Sequence, residues 1–281
     1  MTEHSNPTTA LNLQDEPSES RLTDSPLTDR HLSDPRQKSL MYHLKQHDIT
    51  LLDQVLWLNS TTSTNDIAKT IGHGNLLVLS NQQLAGRGQA GRTWQSPEGN
   101  LYLSLRWTLQ HPVSGRLALE VALALVNMPI LAHHAGLQIK WPNDLYFNGA
   151  KWGGILIEPL HDNQVVIGVG LNLLPMQAQV SDQAVTDLGQ ITGQALDKLQ
   201  LAVQTTLALI HACQLFDHGS LELPTRFAAF DALMQQAVIV HNPAQPDIEG
   251  TILGIQPDGA LILTTTDGQK IIYSGQVRAL P

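Results

Sequence analysis

Residues 84–94 read LAGRGQAGRTW: Gly86, Gly88 and Gly91 are interleaved with Arg87 and Arg92, and Trp94 closes the run. Glycines let successive backbone N–H groups converge on an anion. Arginine adds paired, charge-assisted bonds to a carboxylate or phosphate. Trp94 offers a flat face on which a base stacks, worth about 1–3 kcal/mol in nucleic-acid sites. The loop lacks the Gly-Lys-Ser/Thr ending of a P-loop. No helical pattern opens on its last glycine, so a dinucleotide fold fits poorly. A flexible surface loop with Trp94 packed in the core has the same composition, and the loop alone does not separate the two readings.

A second cluster surrounds Asn148-Gly149, a dipeptide that is the strongest short hairpin signal. A two-residue turn there pairs Phe147 with Ala150, Tyr146 with Lys151, Leu145 with Trp152 and Asp144 with Gly153. That register puts Asp144, Tyr146, Lys151 and Gly153 on one face, and Leu145, Phe147, Ala150 and Trp152 on the other, apolar face. A lysine, an aspartate diagonal to it and a glycine without a side chain make a floor that could seat a ligand. A solvated face with an ordinary surface ion pair, worth little, has the same spacing.

These residues need strands and a helix to hold them. Residues 54–60 (QVLWLNS), 75–82 (NLLVLSNQ) and 164–174 (QVVIGVGLNLL) read as strands. LYLSLRWTL, residues 101–109, alternates Leu101, Leu103, Leu105 and Trp107 with Tyr102, Ser104, Arg106 and Thr108, the period of a half-buried strand. STNDIAKTI, residues 63–71, reads as a helix with Ser63 and Asp66 forming a capping box. Residues 115–136 read as a core helix that Pro129 kinks or breaks, and 198–217 and 222–235 also read as helical. After residue 235 the runs AVIVH, IEGTILGI, ALILTTT and KIIYS, with Asp-Gly turn signals between them, have the spacing of a small barrel-like all-β unit.

Residues 1–40 are rich in Ser, Thr, Asp and Pro, hold no aromatic residue and have no periodic apolar pattern, so they are expected to be a disordered tail. Met41 follows directly and is a candidate start of translation. The expected division is therefore a tail at 1–40, a larger unit at 41–232 and a β unit at 233–281. Over 281 residues, 42% hydrophobic and 15% charged composition supports a sizeable core. A net charge of −9 argues against a broad nucleic-acid binder. The lone Cys213, in an apolar helical pattern, excludes an internal disulfide framework and a cysteine-based zinc site. The first forty residues hold no apolar run of signal-peptide length. LALEVALALV (117–126) is too short to span a bilayer and carries Glu120. No nucleic acid, no membrane and a reducing cytoplasm are the expectations.

STN (63–65), QQLAGRGQAGRTW (82–94), NLYLSLRW (100–107), KWPNDLYFNGAKWGGILIE (140–158) and IGVGLNL (167–173), in that order, make the chain resemble the biotin–protein ligases from about residue 55 to its end. The resemblance implies an α+β fold: a mixed β-sheet flanked by helices, with a small C-terminal SH3-like β-barrel. It implies an enzyme that joins biotin to ATP as biotinyl-5′-AMP, with Mg²⁺ on the triphosphate. Biotin then passes to a lysine of the biotin carboxyl carrier protein of acetyl-CoA carboxylase. By resemblance Lys151 and Arg87 offset the two reacting anions, and Asp144 orients or deprotonates the acceptor lysine. Ser63, Thr64, Asn65, Gln83, Gly86, Arg87, Gly88, Lys151, Gly153 and Gly154 match biotin-binding positions. Arg87, Gly91, Arg92, Trp94, Asn143, Lys151, Asn172 and Arg278 match nucleotide positions, with Trp94 stacked on adenine and Arg278 toward the triphosphate. No protein metal site is among the matched residues. Family members pair edge to edge through their sheets, so a homodimer is compatible.

The chain departs from the family pattern in three places. Family loops read Gly-Arg-Gly-Arg-x-Gly-Arg; here the second arginine is Gln89, which removes one cation beside the adenylate. Bifunctional members begin with a DNA-binding helix-turn-helix, whereas residues 1–40 here are acidic and lack that pattern, so operator binding is not expected. SGQVRAL (274–280) matches the family ending only in part. Two other readings stand beside the ligase: a lipoate or octanoate ligase, which shares the fold, and a non-catalytic module that senses biotin or its adenylate. Intact Lys151 and Arg87 favour catalysis.

Overall fold

A computed structural model describes Met1 and residues 34–175, 183–243 and 245–280. The elements are α1 (Pro35–Gln46), β1 (Gln54–Leu58), α2 (Thr64–Thr70), β2 (Leu76–Ser80), β3 (Leu101–Thr108), α3 (Gly115–Val126), β4 (Leu137–Lys140), β5 (Asp144–Phe147), β6 (Ala150–Pro159), β7 (Gln164–Leu171), α4 (Leu188–Thr192), α5 (Lys198–Asp217), α6 (Leu223–Ala228), β8 (Ala237–Asn242), β9 (Gln245–Ile255), β10 (Leu261–Thr265), β11 (Gly268–Ile272) and β12 (Gln276–Ala279). The first seven strands form one sheet in the order β1-β2-β3-β7-β6-β5-β4. Only β1 and β2 run parallel; the other neighbours are antiparallel.

Apolar side chains cover both faces of the sheet's centre. On one face Leu101, Leu103, Leu105 and Trp107 of β3 join Val165, Ile167, Val169 and Leu171 of β7 in the main core, under α3 and α5. On the other, Leu56, Leu58, Leu76, Val78 and Val166 pack with Ala68 of α2. Strand β3 is therefore buried on both faces rather than half-buried, and Tyr102, Ser104 and Arg106 are all at most 3% exposed. Strict alternation was a misleading signal here, because the polar members of the strand lie beneath α2 instead of facing water.

Register arranges the α2-side face in rows. One row runs Ser80–Tyr102–Gly170–Gly154–Asp144–Lys140 across six strands. The next is Val78–Ser104–Gly168–Leu156, and the third Leu76–Arg106–Val166–Glu158. Each residue of a row points the same way, so one row places carboxylate, lysine and glycines side by side.

Other sequence expectations change at element ends. α3 stops at Val126, and Pro129 opens a separate 3₁₀ turn, Pro129–Leu131, as its missing N–H dictates. Of the helix expected over 222–235 only Leu223–Ala228 forms. The chain beyond it is captured by β4: Ile139 N donates to Phe230 O at 2.7 Å and Ala232 N to Ile139 O at 3.0 Å. α1 takes in residues 35–40 of the expected tail. Asp34 accepts from Arg36 N at 2.8 Å as its cap, and Leu40 is fully buried. The rest of that expectation, residues 2–33, lies outside the described residues. α5 covers 198–217 as expected. It is long and apolar enough to cross a membrane by length and composition, yet it packs on α1 and α3 with Leu201, Leu209 and Phe216 fully buried. The C-terminal strands form a five-stranded antiparallel sheet, β11-β10-β9-β8-β12, that starts at Ala237. The buried Trp141 ties the two units together, its Nε1 donating to Gly259 O at 2.9 Å.

α2 must be held in place for its first residues to serve a site, and Arg106 does this from below. Its guanidinium donates to Gly74 O at 2.8 Å, Ala68 O at 3.0 Å and Ile71 O at 2.8 Å, which are carbonyls at and beyond the helix C-terminus. A cation suits that end of a helix. Arg106→Met would remove three hydrogen bonds, one buried and two part-buried. The expected outcome is a loss of about 3 kcal/mol or more in denaturant unfolding, and a change below about 0.5 kcal/mol would contradict the anchoring role.

Candidate active site

The site begins as an absence of side chains on β7. A Cβ on Gly168 would lie 2.2 Å from Asn65 Oδ1, and one on Gly170 would lie 2.5 Å from Trp94 Nε1. A Cβ on Gly154 of the neighbouring strand would stand 3.1 Å from the same indole ring. These glycines form a trough that seats Asn65 from above and Trp94 from the loop. Around them lies a cavity of about 340 Å³.

One end of the cavity is polar and uncharged. Ser63, Thr64 and Asn65 are at most 4% exposed at the start of α2. Thr64 N donates to Gln83 Oε1 at 2.9 Å, and Gln83 Nε2 donates to Ser96 Oγ at 2.9 Å. Ser63 occupies the N-cap position but its side chain makes no cap bond. The expected capping box fails because Asp66 is claimed by Arg87, whose two terminal nitrogens donate to it at 2.6 Å each.

The glycine loop folds back on itself: Trp94 N donates to Gly86 O at 2.9 Å and Gly88 N to Arg92 O at 2.7 Å. A 3₁₀ turn, Gln89–Gly91, closes it, with Ala90 and Gly91 at positive φ. Gly86 is needed for packing inside the loop, since a Cβ would fall 2.5 Å from Ser96 Oγ and from Trp94 O. Gly91 makes the turn. Both stand outside the cavity wall, while Arg87, Gly88, Gln89, Arg92 and Trp94 line it.

Arg87 also reaches Glu158 at 3.3 Å, and Lys69 meets Glu158 at 2.5 Å. The hydrogen bonds it donates to Asp66 hold the Arg87 guanidinium above its usual pKa, against burial. Burial pushes the Glu158 carboxyl up, but the Lys69 and Asn65 hydrogen bonds and the Lys69 and Arg87 charges outweigh it and hold it below the usual range.

The hairpin forms with Asn148 and Gly149 at φ 48° and 81°, and its first two pairs are as expected. Beyond them the register slips. Trp152 is fully buried in the core, donates Nε1 to Tyr146 O at 3.0 Å, and is absorbed as an extra residue, so Leu145 pairs with Gly153 and Asp144 with Gly154. Gly153 therefore faces the core, where a Cβ would meet Leu171 and Leu145, and Gly154 takes the floor position instead. Lys151 and Asp144 still share the site face, with Nζ 2.6 Å from Oδ1 and side chains 16% and 19% exposed. The Lys151 ammonium also lies 5.1 Å from the Trp94 ring centroid.

The backbone of Lys151 is fixed on both sides. Its N–H donates to Ala184 O and its carbonyl accepts from Thr186 N, each at 2.9 Å, while Asn172 Nδ2 donates to Thr186 O at 3.1 Å. Gln183 and Val185 thus close the cavity, a wall that no periodicity in the sequence marks. Asn143 lines the cavity and braces β6, its Nδ2 donating to Ile155 O at 2.6 Å. Lys140 pairs with Asp144 at the end of the site row. Burial lowers its pKa, the Asp144 charge opposes this, and the charges of Lys151, Arg278 and Arg92 push the same way as burial. Arg278 therefore acts on this end through space, but from outside the cavity wall. Among the described residues, Arg87, Arg92 and Lys151 face a single lining carboxylate, Asp144. Among the described residues no group of three or more His, Cys, Asp or Glu side chains is placed to hold a metal ion. One cavity thus joins neutral hydrogen-bonding side chains to cationic ones and an indole.

Residues 57–172 match the model of the biotin/lipoate A/B protein ligase family, and residues 236–278 match the biotin protein ligase C-terminal domain. A biotin–[acetyl-CoA-carboxylase] ligase of Paracoccus denitrificans is 32% identical over 237 residues, 78% of this chain and 98% of that protein. The bifunctional ligase/repressor BirA of Bacillus subtilis is 30% identical over 84% of this chain and 73% of its own length. Among solved structures, the biotin protein ligase of Aquifex aeolicus in complex with biotin and ATP aligns with a TM-score of 0.72 at 24% identity, over 82% of this chain and all of that one. That of Leishmania major with biotinyl-5-AMP gives 0.57 at 25% identity, over 82% and 99%.

The trough makes a local prediction. Gly170→Ala is expected to displace the Trp94 indole, red-shifting tryptophan emission while far-UV circular dichroism stays unchanged. A Trp94→Phe background should abolish the shift. Unchanged emission in Gly170→Ala would contradict the seating of Trp94 on this glycine.

Proposed function

The chain belongs to the biotin/lipoate A/B protein ligase family, and on that premise we propose that it works as an ATP-dependent biotin–protein ligase. It forms biotinyl-5′-AMP and transfers biotin to a lysine of a carrier protein. The observation that carries the reading is the single cavity joining a neutral donor–acceptor end to a cationic end. A cyclic urea has two N–H donors and one carbonyl acceptor, which suit Ser63, Thr64, Asn65 and Gln83. Lipoate and octanoate offer no such groups and would forgo those hydrogen bonds, worth about 0.5–1.5 kcal/mol each. Biotin is the favoured acid on that ground.

In the first step a biotin carboxylate oxygen attacks the α-phosphorus, and the bond to the bridging oxygen of the β-phosphate breaks, releasing pyrophosphate. Two anions must approach each other. Arg87 and Lys151 offset that repulsion and stabilise the charge that grows in the transition state. Arg92 and Asn172 serve the nucleotide, and Trp94 stacks on its base. Asp144, the one lining carboxylate among the described residues, is already engaged by Lys151, so Mg²⁺ would be held by the triphosphate itself. There it neutralises phosphate charge.

In the second step the acceptor amine attacks the acyl carbon, a C–N bond forms, and the C–O bond to AMP breaks. A lysine with an ordinary pKa near 10.4 must lose a proton to do this. Once Lys151 turns from Asp144 to the phosphoryl oxygens, Asp144 is released to accept that proton. The acceptor is the carrier domain of acetyl-CoA carboxylase, the setting is the cytoplasm, and no nucleic acid takes part. A homodimer joined sheet edge to sheet edge belongs to the same proposal.

The two steps separate in variants. Biotin, but not lipoate or octanoate, should drive ATP–pyrophosphate exchange. Asp144→Asn is expected to keep exchange within about tenfold and to lose transfer to the carrier by about a hundredfold or more. Lys151→Ala should lose both by about a hundredfold or more. Wild-type transfer by Asp144→Asn would remove the aspartate from the mechanism. Gln89 lines the cavity where the family carries arginine, so Gln89→Arg should slow release of biotinyl-AMP by about tenfold, one charge-assisted bond. An unchanged dissociation rate would show that this position does not hold the adenylate.

A further inference from the structure

Glu158 lies on the third row of the sheet, away from the reacting groups, yet hydrogen bonds connect it to the polar end of the cavity. Asn65 Nδ2 donates to Glu158 Oε2 at 2.6 Å. Ser104 Oγ lies 2.6 Å from Asn65 Oδ1 and 2.7 Å from Thr64 Oγ1. Thr64 Oγ1 in turn lies 3.1 Å from Gln83 Oε1. Ser104 is fully buried, while Thr64, Asn65 and Gln83 line the cavity.

Proton counting allows the chain two directions. Each hydroxyl has one proton to give, and a carboxylate has none. With the Asn65 amide nitrogen toward Glu158, Asn65 Oδ1 can only accept, so Ser104 gives it its proton. Thr64 then donates to Ser104 at 2.7 Å in place of Gln83 Oε1 at 3.1 Å, which keeps its bond from Thr64 N at 2.9 Å, and both lone pairs of Thr64 Oγ1 are left for a donor elsewhere. In the reverse direction Asn65 is flipped and donates to Ser104, Ser104 donates to Thr64, and Thr64 donates to Gln83. That second arrangement satisfies every group except Glu158, whose oxygen would face the Asn65 carbonyl. Lys69 at 2.5 Å and Arg87 at 3.3 Å keep Glu158 in its charged, acceptor-only form.

Building on the biotin reading, we infer that Glu158 is a positioning residue that sets the direction of this hydrogen-bond chain and so makes Thr64 an acceptor for a ring N–H of the substrate. The carboxylate selects for an N–H-bearing ring without touching it. Arg87 is held chiefly by its two 2.6 Å bonds to Asp66, with Glu158 at 3.3 Å a longer contact, so the charge-handling end rests mainly on Asp66.

The test is biotin-dependent ATP–pyrophosphate exchange by the full chain, wild type against Glu158→Gln, Ser104→Ala and the double variant. Gln at 158 has the same shape but can donate as well as accept, so both directions become available. The expected result is a KM for biotin about tenfold higher in Glu158→Gln, the size of one lost hydrogen bond, with kcat within about threefold. Because Glu158 acts through Ser104, the double variant should be no worse than Ser104→Ala alone. A KM within twofold of wild type, a fall confined to kcat, or effects that multiply in the double variant would overturn the inference while leaving the ligase intact. Absence of biotin-dependent exchange in the wild type would overturn both.

Discussion

The site depends on the close approach permitted by two glycines of the sheet's central strand, Gly168 and Gly170 of β7. Sheet surfaces normally carry side chains at every second position, which would hold any covering group away from the backbone. Here the missing side chains let Asn65 and the Trp94 indole come down onto the strand. Val169 between them points to the opposite face and is part of the main core. One short run, GVG, thus seals the core below and opens the site above. The row structure of the sheet does the rest, because Asp144 and Gly154 fall in line with Gly170 once the strands are paired.

Most cations at this site are paired with the protein's own carboxylates. Arg87 is held by Asp66 and Glu158, Lys69 by Glu158, and Lys151 by Asp144. Partly buried cations left alone would repel one another and lose solvation. Pairing keeps them in position at little net cost, since exposed and half-exposed ion pairs are worth only about 1 kcal/mol or less. An incoming carboxylate or phosphate can therefore replace the protein's own carboxylates. The same exchange that recruits Lys151 to the substrate leaves Asp144 free for the later proton transfer.

Much of this was legible in the sequence, and the failures have physical causes. The Asn-Gly turn, the limits of α5 and the strands around the glycine loop follow local rules that tertiary structure does not override. Eight of the ten residues matched to biotin line one cavity, and the two that do not are glycines serving the fold. Gly153 was misplaced because a two-residue turn fixes register only near the turn, and a bulge at Trp152 shifts everything beyond it. The capping box failed because Asp66 had a stronger partner far away in sequence, which no local pattern reveals. The wall at Gln183–Val185 and the Glu158 network rest on contacts between elements distant in sequence. Ser104 and Arg106 read as solvent-facing by alternation, whereas α2 covers them both.

The central claim is that this cavity activates biotin and delivers it to a protein lysine. Its most direct test is the intact mass of a purified biotin carboxyl carrier domain after incubation with the protein, biotin, ATP and Mg²⁺. The account predicts a gain of one biotin per carrier, absent when ATP is withheld and absent with lipoate or octanoate in place of biotin. An unmodified carrier, in a tube where no biotin-dependent pyrophosphate is released, would contradict it.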